Sequence, residues 1–124
     1  MIEGTVSEQG IPFIELDIAN RRWMAIVDSG FKGDLELPAS LQDELQGRFV
    51  GRVSSLLAAG QVIEEDVYLV DFPFDGQVFP AEATFVTADD ILIGTHLLRQ
   101  HRLVIDFPGK AVLLDRAISA GDYT

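Results

Sequence analysis

Short apolar runs separated by turn residues dominate this sequence, and they constrain the fold more than any other feature. Short runs, here of three to eleven residues, bounded by Gly, Pro, Asn and Asp are typical of β-strands joined by tight turns. Neither an internal linker nor a low-complexity tract interrupts them. We therefore predict a mostly β fold of about nine short strands. The runs are residues 4–7, 12–18, 23–27, 35–37, 48–57, 62–72, 78–87, 91–93, 103–107 and 111–114.

Two segments are predicted as short helices. The first, residues 38–45, has Pro38 near its start and Ser40 as an alternative N-cap, and Gly47 is expected to end it. The second candidate is residues 95–100. Together with the strands, they indicate a barrel-like or sandwich β domain. We expect one domain over residues 1–124, with a core of about residues 5–114 and a tail at 115–124.

The charge of the chain narrows the classes of partner. It has 9 Lys and Arg against 20 Asp and Glu, a net charge of −11. Such an excess repels phosphate, so we expect neither a nucleic-acid partner nor docking on an anionic membrane. Residues 53–63, the longest stretch without a charge, are too few to span a bilayer. With no secretory signal visible and no cysteine, we expect a cytoplasmic protein without thiolate chemistry.

Asp28 is the residue best placed to carry chemistry. It follows the apolar run 25–27 directly and precedes Ser29 and Gly30, so it is expected to leave a buried strand and enter a tight turn. A carboxylate at such a point is partly desolvated. The alternative is an ordinary turn in which the aspartate caps its own backbone.

A second, similar pattern occurs later in the chain. Residues 91–93 form another short apolar run, and Gly94 follows it directly. If the two runs lie side by side in a sheet, they hold a turn residue rigidly in apolar surroundings. The repeated pattern is too short to establish an internal duplication.

The longer motifs resemble those of a known family. Residues 25–38 read AIVDSGFKGDLELP. This segment resembles the catalytic loop of retropepsin-like (clan AA) aspartic proteases, particularly the small prokaryotic members, in which an apolar pair precedes Asp-Thr/Ser-Gly-Phe-x-Gly-x-Leu-x-Leu-Pro. Residues 91–98, which read ILIGTHLL, are similar to the apolar-apolar-Gly motif and short helix behind that loop. Residues 58–60 lie between the motifs, where the family has its flap hairpin, and the resemblance covers about residues 5–114.

The resemblance implies an acid-protease β-barrel with one or two short helices that forms a two-fold homodimer. An aspartic protease site needs two carboxylates, whereas this chain has a single Asp-Ser-Gly. A two-fold axis supplies the second, because it brings Asp28 of each subunit against Asp28 of the other. Two carboxylates at such a short distance share one proton. The ionised one then activates a water molecule, while the protonated one donates a hydrogen bond to the scissile carbonyl of a peptide or protein substrate. This chemistry needs no cofactor.

The resemblance also assigns roles to the neighbours of Asp28. The Ser29 hydroxyl is expected to bond across the dimer axis and fix the turn, and Gly30 to admit both the turn and the substrate. Ile93 and Gly94 are expected to support the catalytic loop from behind. Phe31 is either part of a substrate subsite or a core aromatic.

The flap is expected at Ala58, Ala59 and Gly60. By resemblance this hairpin closes over a bound peptide and excludes water. The alternative is an ordinary β-hairpin. Relatives often carry Asp before the flap glycine, and Ala59 stands there in this chain, so the polar contacts of the flap differ from theirs.

Other polar residues have simpler interpretations. His96 and His101 are five positions apart, a spacing that does not put two ligands on one helical face, and no third ligand accompanies them, so we expect no metal site. The cluster of Glu64, Glu65 and Asp66 is interpreted as solvated charge, with a preference for basic peptides as the alternative.

Three functions remain open at this stage. The first is a homodimeric aspartic endopeptidase. The second is a catalytically idle module of the same fold that dimerises or binds extended peptides. The third is an unrelated double-psi β-barrel interaction domain, which the repeated apolar-turn pattern alone permits.

Overall fold

A computed structural model describes residues 1–117, and in this part of the chain the alternating strands form a single sheet. Side chains alternate between the two faces, as in β2, where the apolar residues are buried and the acidic ones are exposed. The strands are β1 (Ile2–Val6), β2 (Pro12–Ile18), β3 (Arg21–Val27), β4 (Leu35–Pro38), β5 (Arg48–Leu56), β6 (Val62–Phe74), β7 (Gln77–Val86), β8 (Ile91–Ile93), β9 (His101–Asp106) and β10 (Ala111–Arg116).

The strand order is β5-β6-β7-β4-β8-β3-β2-β1-β10-β9. Most neighbours are antiparallel and joined by tight turns. At the turn between β2 and β3, Ala19 and Asn20 both have positive φ, of 54° and 63°, which suits a two-residue hairpin turn. The predicted mostly β fold is confirmed.

Two pairs of strands in the middle of the sheet are parallel. β3 pairs with β8, with Ala25 opposite Ile91 and Val27 opposite Ile93. β4 pairs with β7 in the same sense and with β8 in the opposite sense. The two apolar runs noted in the sequence therefore lie side by side, and both end at the same edge of the sheet.

The sheet curls so that residues flanking the β6–β7 turn contact the edge strand β9. Phe74 and Phe79, on either side of the β6–β7 turn, lie 5.3 and 6.2 Å from the ring of His101 on the opposite edge strand β9. The inner face closes around one apolar core. Its fully buried members include Ile14, Ile18, Leu35, Leu37, Leu41, Val70, Phe72, Ile91, Ile93, Val112 and Leu114.

The first helix is shorter than predicted. A 3₁₀ turn covers Ala39–Leu41, and α1 covers Gln42–Leu45. Pro38 precedes the turn and Ser40 makes no side-chain cap. Gln46, with φ 48°, takes the left-handed position that ends α1. The prediction that Gly47 does so was wrong, and Gly47 is instead required because a Cβ there would lie 2.8 Å from Val70 Cγ1.

The prediction of a second helix at residues 95–100 was wrong. Six turn residues occupy the segment. The Arg99 N–H donates to the carbonyl of His96, and the His101 N–H to that of Leu98, so three-residue bonds replace the four-residue bonds of an α-helix. Since β9 begins at His101, the segment has no room for a longer helix.

The structured part of the chain is wider than the predicted core. β1 begins at Ile2 and β10 ends at Arg116, so the predicted tail begins inside a strand. Residues 118–124 of that tail lie outside the described residues. Among residues 1–117, no helix has the length and apolar character needed to cross a bilayer.

His101 is the buried titratable group at the seam where the sheet closes. Its side chain is 0% exposed, and neither ring nitrogen has a hydrogen-bond partner among the described residues. Burial lowers the pKa of His101 below its ordinary value of 6.5, and the Asp75 carboxylate, 3.5 Å from Nε2, opposes this in part. The folded state therefore disfavours the protonated ring.

This burial makes stability depend on pH. Because the unfolded chain takes up the His101 proton more readily, the free energy of unfolding falls as the pH drops through 6.5 toward the lowered pKa. We expect His101→Leu to remove this loss. Urea unfolding of both proteins between pH 7.5 and 5 measures it, as a slope approaching about 1.4 kcal/mol per pH unit in the wild type. A variant that keeps the full slope would contradict the assignment.

Candidate active site

Asp28 lies directly beyond the end of β3, where the parallel pairing with β8 finishes. Its N–H continues the pairing by donating to the carbonyl of Ile93 at 3.0 Å. The aspartate is half-buried, whereas Ser29 and Gly30 after it are exposed. Two apolar strands thus hold a carboxylate at the rim of the sheet, as the sequence indicated.

The Asp28 carboxylate shapes its own turn with one oxygen. Oδ1 accepts the N–H of Gly30 at 2.9 Å, and the Asp28 carbonyl accepts the N–H of Phe31 at 3.2 Å. These are the bonds of an aspartate turn, as in the simpler interpretation of this residue. Of the two carboxylate oxygens, only Oδ1 accepts a hydrogen bond from residues 1–117, and Oδ2 accepts none. The second oxygen is therefore free to act on a bound molecule.

Gly94 supports the loop from behind, at the position the sequence indicated. A Cβ at Gly94 would lie 2.7 Å from the carbonyl oxygen of Phe31 and closer still to that of Gly33. Both contacts are with backbone, which cannot move aside easily. Only glycine lets the segment after β8 approach the loop this closely.

A line of hydrogen bonds joins this segment to the loop. The N–H and hydroxyl of Thr95 donate to the Phe31 carbonyl at 2.8 and 3.3 Å, and the His96 N–H donates to the Gly33 carbonyl at 3.2 Å. The loop that starts at Asp28 is thereby fixed along its length by residues more than sixty positions away.

Sequence analysis missed Asp34, which lies at the far end of the same loop. Its carboxylate contacts the imidazole of His96, Nδ1 to Oδ1, at 2.6 Å. His96 and His101 have different partners, and the structure places no group of three or more metal-ligating side chains within residues 1–117. The available signal was an aspartate placed directly before a buried strand that begins at Leu35.

A cavity of about 200 Å³ lies between the loop and the β5–β6 hairpin. Phe31 and Gly33 line it on the loop side, and a substrate subsite at Phe31 stays a prediction. Its walls are mostly apolar, but four acidic residues also line it. The apolar walls are contributed by Leu35, Val53, Val67 and Ala83, and the acidic residues are Asp34, Glu36, Glu65 and Glu82.

The cluster at residues 64–66 divides between the two faces of the hairpin. Arg52 on β5 pairs with Glu64 at 3.2 Å and with Asp66 at 3.0 Å on one face. Glu65 points to the other face, because side chains alternate along a strand, and it lines the cavity. The interpretation as solvated charge therefore fits Glu64 and Asp66 better than Glu65.

The nearby carboxylates affect the pKa of Glu36. Partial burial, followed by the negative charges of Glu65 and Asp28, raises the pKa of Glu36 above its ordinary value of 4.5. No cation pairs with Glu36 within the described residues. Negative charge from Glu65 and Asp28 thus acts on Glu36 in the wall of the cavity.

The β5–β6 hairpin extends over the cavity. A bulge at its base shifts the register between Phe49 and Gly51. At the tip, the Gly60 N–H donates to the Leu57 carbonyl at 2.9 Å and Gly60 has φ 81°. Ala58, Ala59 and Gly60 are exposed and form the predicted turn, and their contact with a substrate stays a prediction.

Comparison with solved structures identifies the fold. The crystal structure of a retropepsin-like aspartic protease from Rickettsia conorii matches with a TM-score of 0.66 and 17% identity, over 92% of this chain and 89% of that one. The chain has the retropepsin-like aspartic protease fold. The solution structure of the simian foamy virus (mac) protease matches with a TM-score of 0.54 and 25% identity, over 70% of this chain and 91% of that one.

A third match is to part of a larger protein. The foamy viral protease-reverse transcriptase, solved in complex with an RNA/DNA hybrid, matches with a TM-score of 0.56 and 16% identity, over 73% of this chain and 12% of that one. The sequence matches no protein-family model and no curated protein. The retropepsin-like fold predicted from the motifs is confirmed, and the double-psi barrel is not supported.

Ionised Glu36 destabilises the folded state at neutral pH, because its surroundings raise the pKa of its carboxyl group. The folded state binds the Glu36 proton more tightly than the unfolded chain, so stability is lost as the pH rises from 4.5 through the raised pKa. We expect Glu36→Gln to raise the melting temperature at pH 7.5 by roughly 1–3 °C.

Thermal unfolding across pH tests this expectation. The gain from Glu36→Gln should shrink as the pH is lowered toward 4.5, where the wild-type side chain also becomes neutral. Glu64→Gln is the matched control, because Glu64 is paired with Arg52 on the other face of the hairpin. A gain at Glu36 that does not change with pH would refute the charge argument.

Proposed function

We propose that this protein is an aspartic endopeptidase that acts as a homodimer, with one Asp28 from each subunit in a single site. The observation that carries the proposal is the placement of Asp28. Its carboxylate stands at the end of two parallel apolar strands, with one oxygen fixed by Gly30 and the other free. A cavity lies farther along the same loop, lined by loop residues from Phe31 onward and by the β5–β6 hairpin.

The chemistry follows from two such carboxylates in contact. They cannot both be ionised at short range, so they share one proton. The ionised oxygen takes a proton from a water molecule, which attacks the scissile carbonyl, and the protonated carboxyl donates to the carbonyl oxygen. The proton is then passed to the leaving amine. No metal or organic cofactor takes part.

The fixed loop serves this chemistry by limiting motion. General acid–base catalysis requires the proton donor and acceptor to be within hydrogen-bond distance of the reacting atoms. The Ile93 carbonyl, the close approach of Gly94 and the bonds from Thr95 hold the turn in one conformation. We propose that Ser29, which is exposed beside Asp28, bonds to the partner subunit and fixes the pair.

The substrate is proposed to be an extended peptide. It would lie as a strand between the loop and the β5–β6 hairpin, bound largely through its backbone. The carboxylates of Glu36 and Glu65 oppose acidic side chains there, since like charges repel in a partly desolvated cavity. Ala58, Ala59 and Gly60 would cover the peptide and exclude water.

The alternative is a catalytically idle module that binds peptides through the same groove. The negative charge gathered at Asp28, Glu36 and Glu65 favours the enzyme. A module that only binds has no need for a further carboxylate at the loop, because each added like charge destabilises the fold.

Loss of the Asp28 carboxylate is the direct test. We expect the wild type to cleave members of a complex peptide library at pH 5.5 and Asp28→Asn to be slower by roughly 10²-fold or more, since the acid–base step is lost. Mass spectrometry of the products measures both. Asp106→Asn is the matched control, because Asp106 also caps a turn, through the Gly109 N–H at 3.1 Å, on a different part of the sheet.

The subunits can also be mixed. If each site needs Asp28 from both chains, an excess of Asp28→Asn subunits suppresses the activity of the wild type. Equal cleavage by the wild type and Asp28→Asn would refute the mechanism. Absence of cleavage by a folded, dimeric wild type would favour the peptide-binding module.

The rate should depend on pH as a shared proton requires. We expect kcat/KM to be highest at roughly pH 5–6, where one carboxyl of the pair is protonated and the other ionised. Solubility is lowest near the sequence pI of 4.3, so more acidic conditions are less favourable. A peptide cleaved in the library experiment, assayed from pH 4.5 to 8, gives the profile. A rate that keeps rising to pH 8 would exclude the shared proton.

A further inference from the structure

Asp34 is the one charged residue that is buried among residues 1–117. It is 6% exposed, and it lies at the opposite end of the loop from Asp28. A buried carboxylate costs free energy unless each oxygen is hydrogen-bonded. Its partners therefore account for its presence.

Each oxygen of Asp34 has a partner on a different element. Oδ1 contacts Nδ1 of His96 at 2.6 Å, and Oδ2 accepts the N–H of Glu82 on β7 at 2.9 Å. The carbonyl of Asp34 also accepts the N–H of Gly94 at 2.9 Å. One residue thus joins the loop to β7 and to the segment that follows β8.

The contact with His96 completes the line of bonds behind the loop. The carbonyls of Phe31 and Gly33 accept the N–H groups of Thr95 and His96. The contact between the side chains of Asp34 and His96 is the next in this series along the loop. Both ends of the loop are held in this way, by the Ile93 carbonyl at Asp28 and by the imidazole at Asp34. The loop between them carries the turn of the candidate site.

The imidazole is the exposed half of the pair. His96 is 59% exposed, so water reaches the ring, while Arg99 Nη1 lies 3.5 Å from Nδ1 and donates to the His96 carbonyl at 2.7 Å. Nδ1 must carry a hydrogen to donate to the carboxylate. The side chain is therefore held by a specific donor–acceptor bond rather than by burial in the core.

We propose that Asp34 and His96 are positioning residues that fix the loop carrying Asp28. Neither touches the reacting atoms. Asp34 anchors the loop to β7, and His96 locks it against the segment after β8. This inference rests on the proposed peptidase function for its kinetic consequence, whereas its structural consequence is independent of that function.

Substitutions at His96 separate the hydrogen bond from the rest of the side chain. Asparagine at 96 places an amide nitrogen close to the position of Nδ1 and keeps the donor. Leucine fills similar space without one. We expect His96→Leu and Asp34→Asn to lower kcat on a cleaved peptide by roughly 10–100-fold with KM changed less than about threefold, since a small misplacement of a catalytic group costs this much. His96→Asn should stay within about threefold of the wild type.

A control variant accounts for lost stability. Val112 is a buried core residue on β10, away from the loop, and Val112→Ala should lower the melting temperature with little change in kcat. Assays run well below the melting temperature of every variant. If His96→Asn is as impaired as His96→Leu, or if Val112→Ala lowers kcat equally, the positioning role is refuted.

Amide hydrogen exchange tests the pair without any activity. We expect faster exchange at Glu82 and through residues 28–34 in His96→Leu and Asp34→Asn, but not in His96→Asn or Val112→Ala. Unchanged exchange in His96→Leu would overturn the proposal whether or not the protein cleaves peptides. If the wild type lacks peptidase activity and His96→Leu and Asp34→Asn still exchange faster than it does, the pair is supported while the proposed function is refuted.

Discussion

The rest of the site depends on the parallel pairing of β3 and β8. Ala25 to Val27 lie beside Ile91 to Ile93, and the backbone bond from Asp28 to Ile93 extends the pairing by one residue. Strand pairing fixes where the carboxylate leaves the sheet. It also places Gly94 directly behind the loop, so a single register decides both the position of the carboxylate and its support. A slip of one residue would turn every side chain of β8 to the other face.

Features that depend on neighbouring residues could be predicted from the sequence. Most of the strands and the hairpin tip at Gly60 follow from local patterns, and the pairing of the two apolar runs is supplied by the fold. Asp34 and His96 could not be paired in this way, because their contact joins positions 62 apart and no motif marks it. Residues 95–100 contain good helix formers, yet the start of β9 at His101 leaves them only turns.

The same reasoning explains two residues whose surroundings local patterns do not indicate. Glu65 belongs to a run of three acidic residues, and only the alternation of β6 against Arg52 separates it from its neighbours. His101 is a strand residue with polar neighbours, and it is buried because the sheet closes on itself at Phe74. Closure is a property of the whole sheet, so no short window of sequence contains it. In both cases a tertiary contact overrides the local pattern.

The bulge at the base of the β5–β6 hairpin is the point about which a change in backbone angles would swing the hairpin. Beyond Gly51, paired residues run in unbroken register to Leu56 and Val62, so this part of the ladder moves as one piece. Its last pair, Leu56 with Val62, is about 17 Å from Gly51 at 3.3 Å per residue, and a rotation of about 10° at the bulge would displace that pair by about 3 Å. The width of the groove would thus change with the backbone angles around Gly51, which pairs with Val67 in the wall of the cavity.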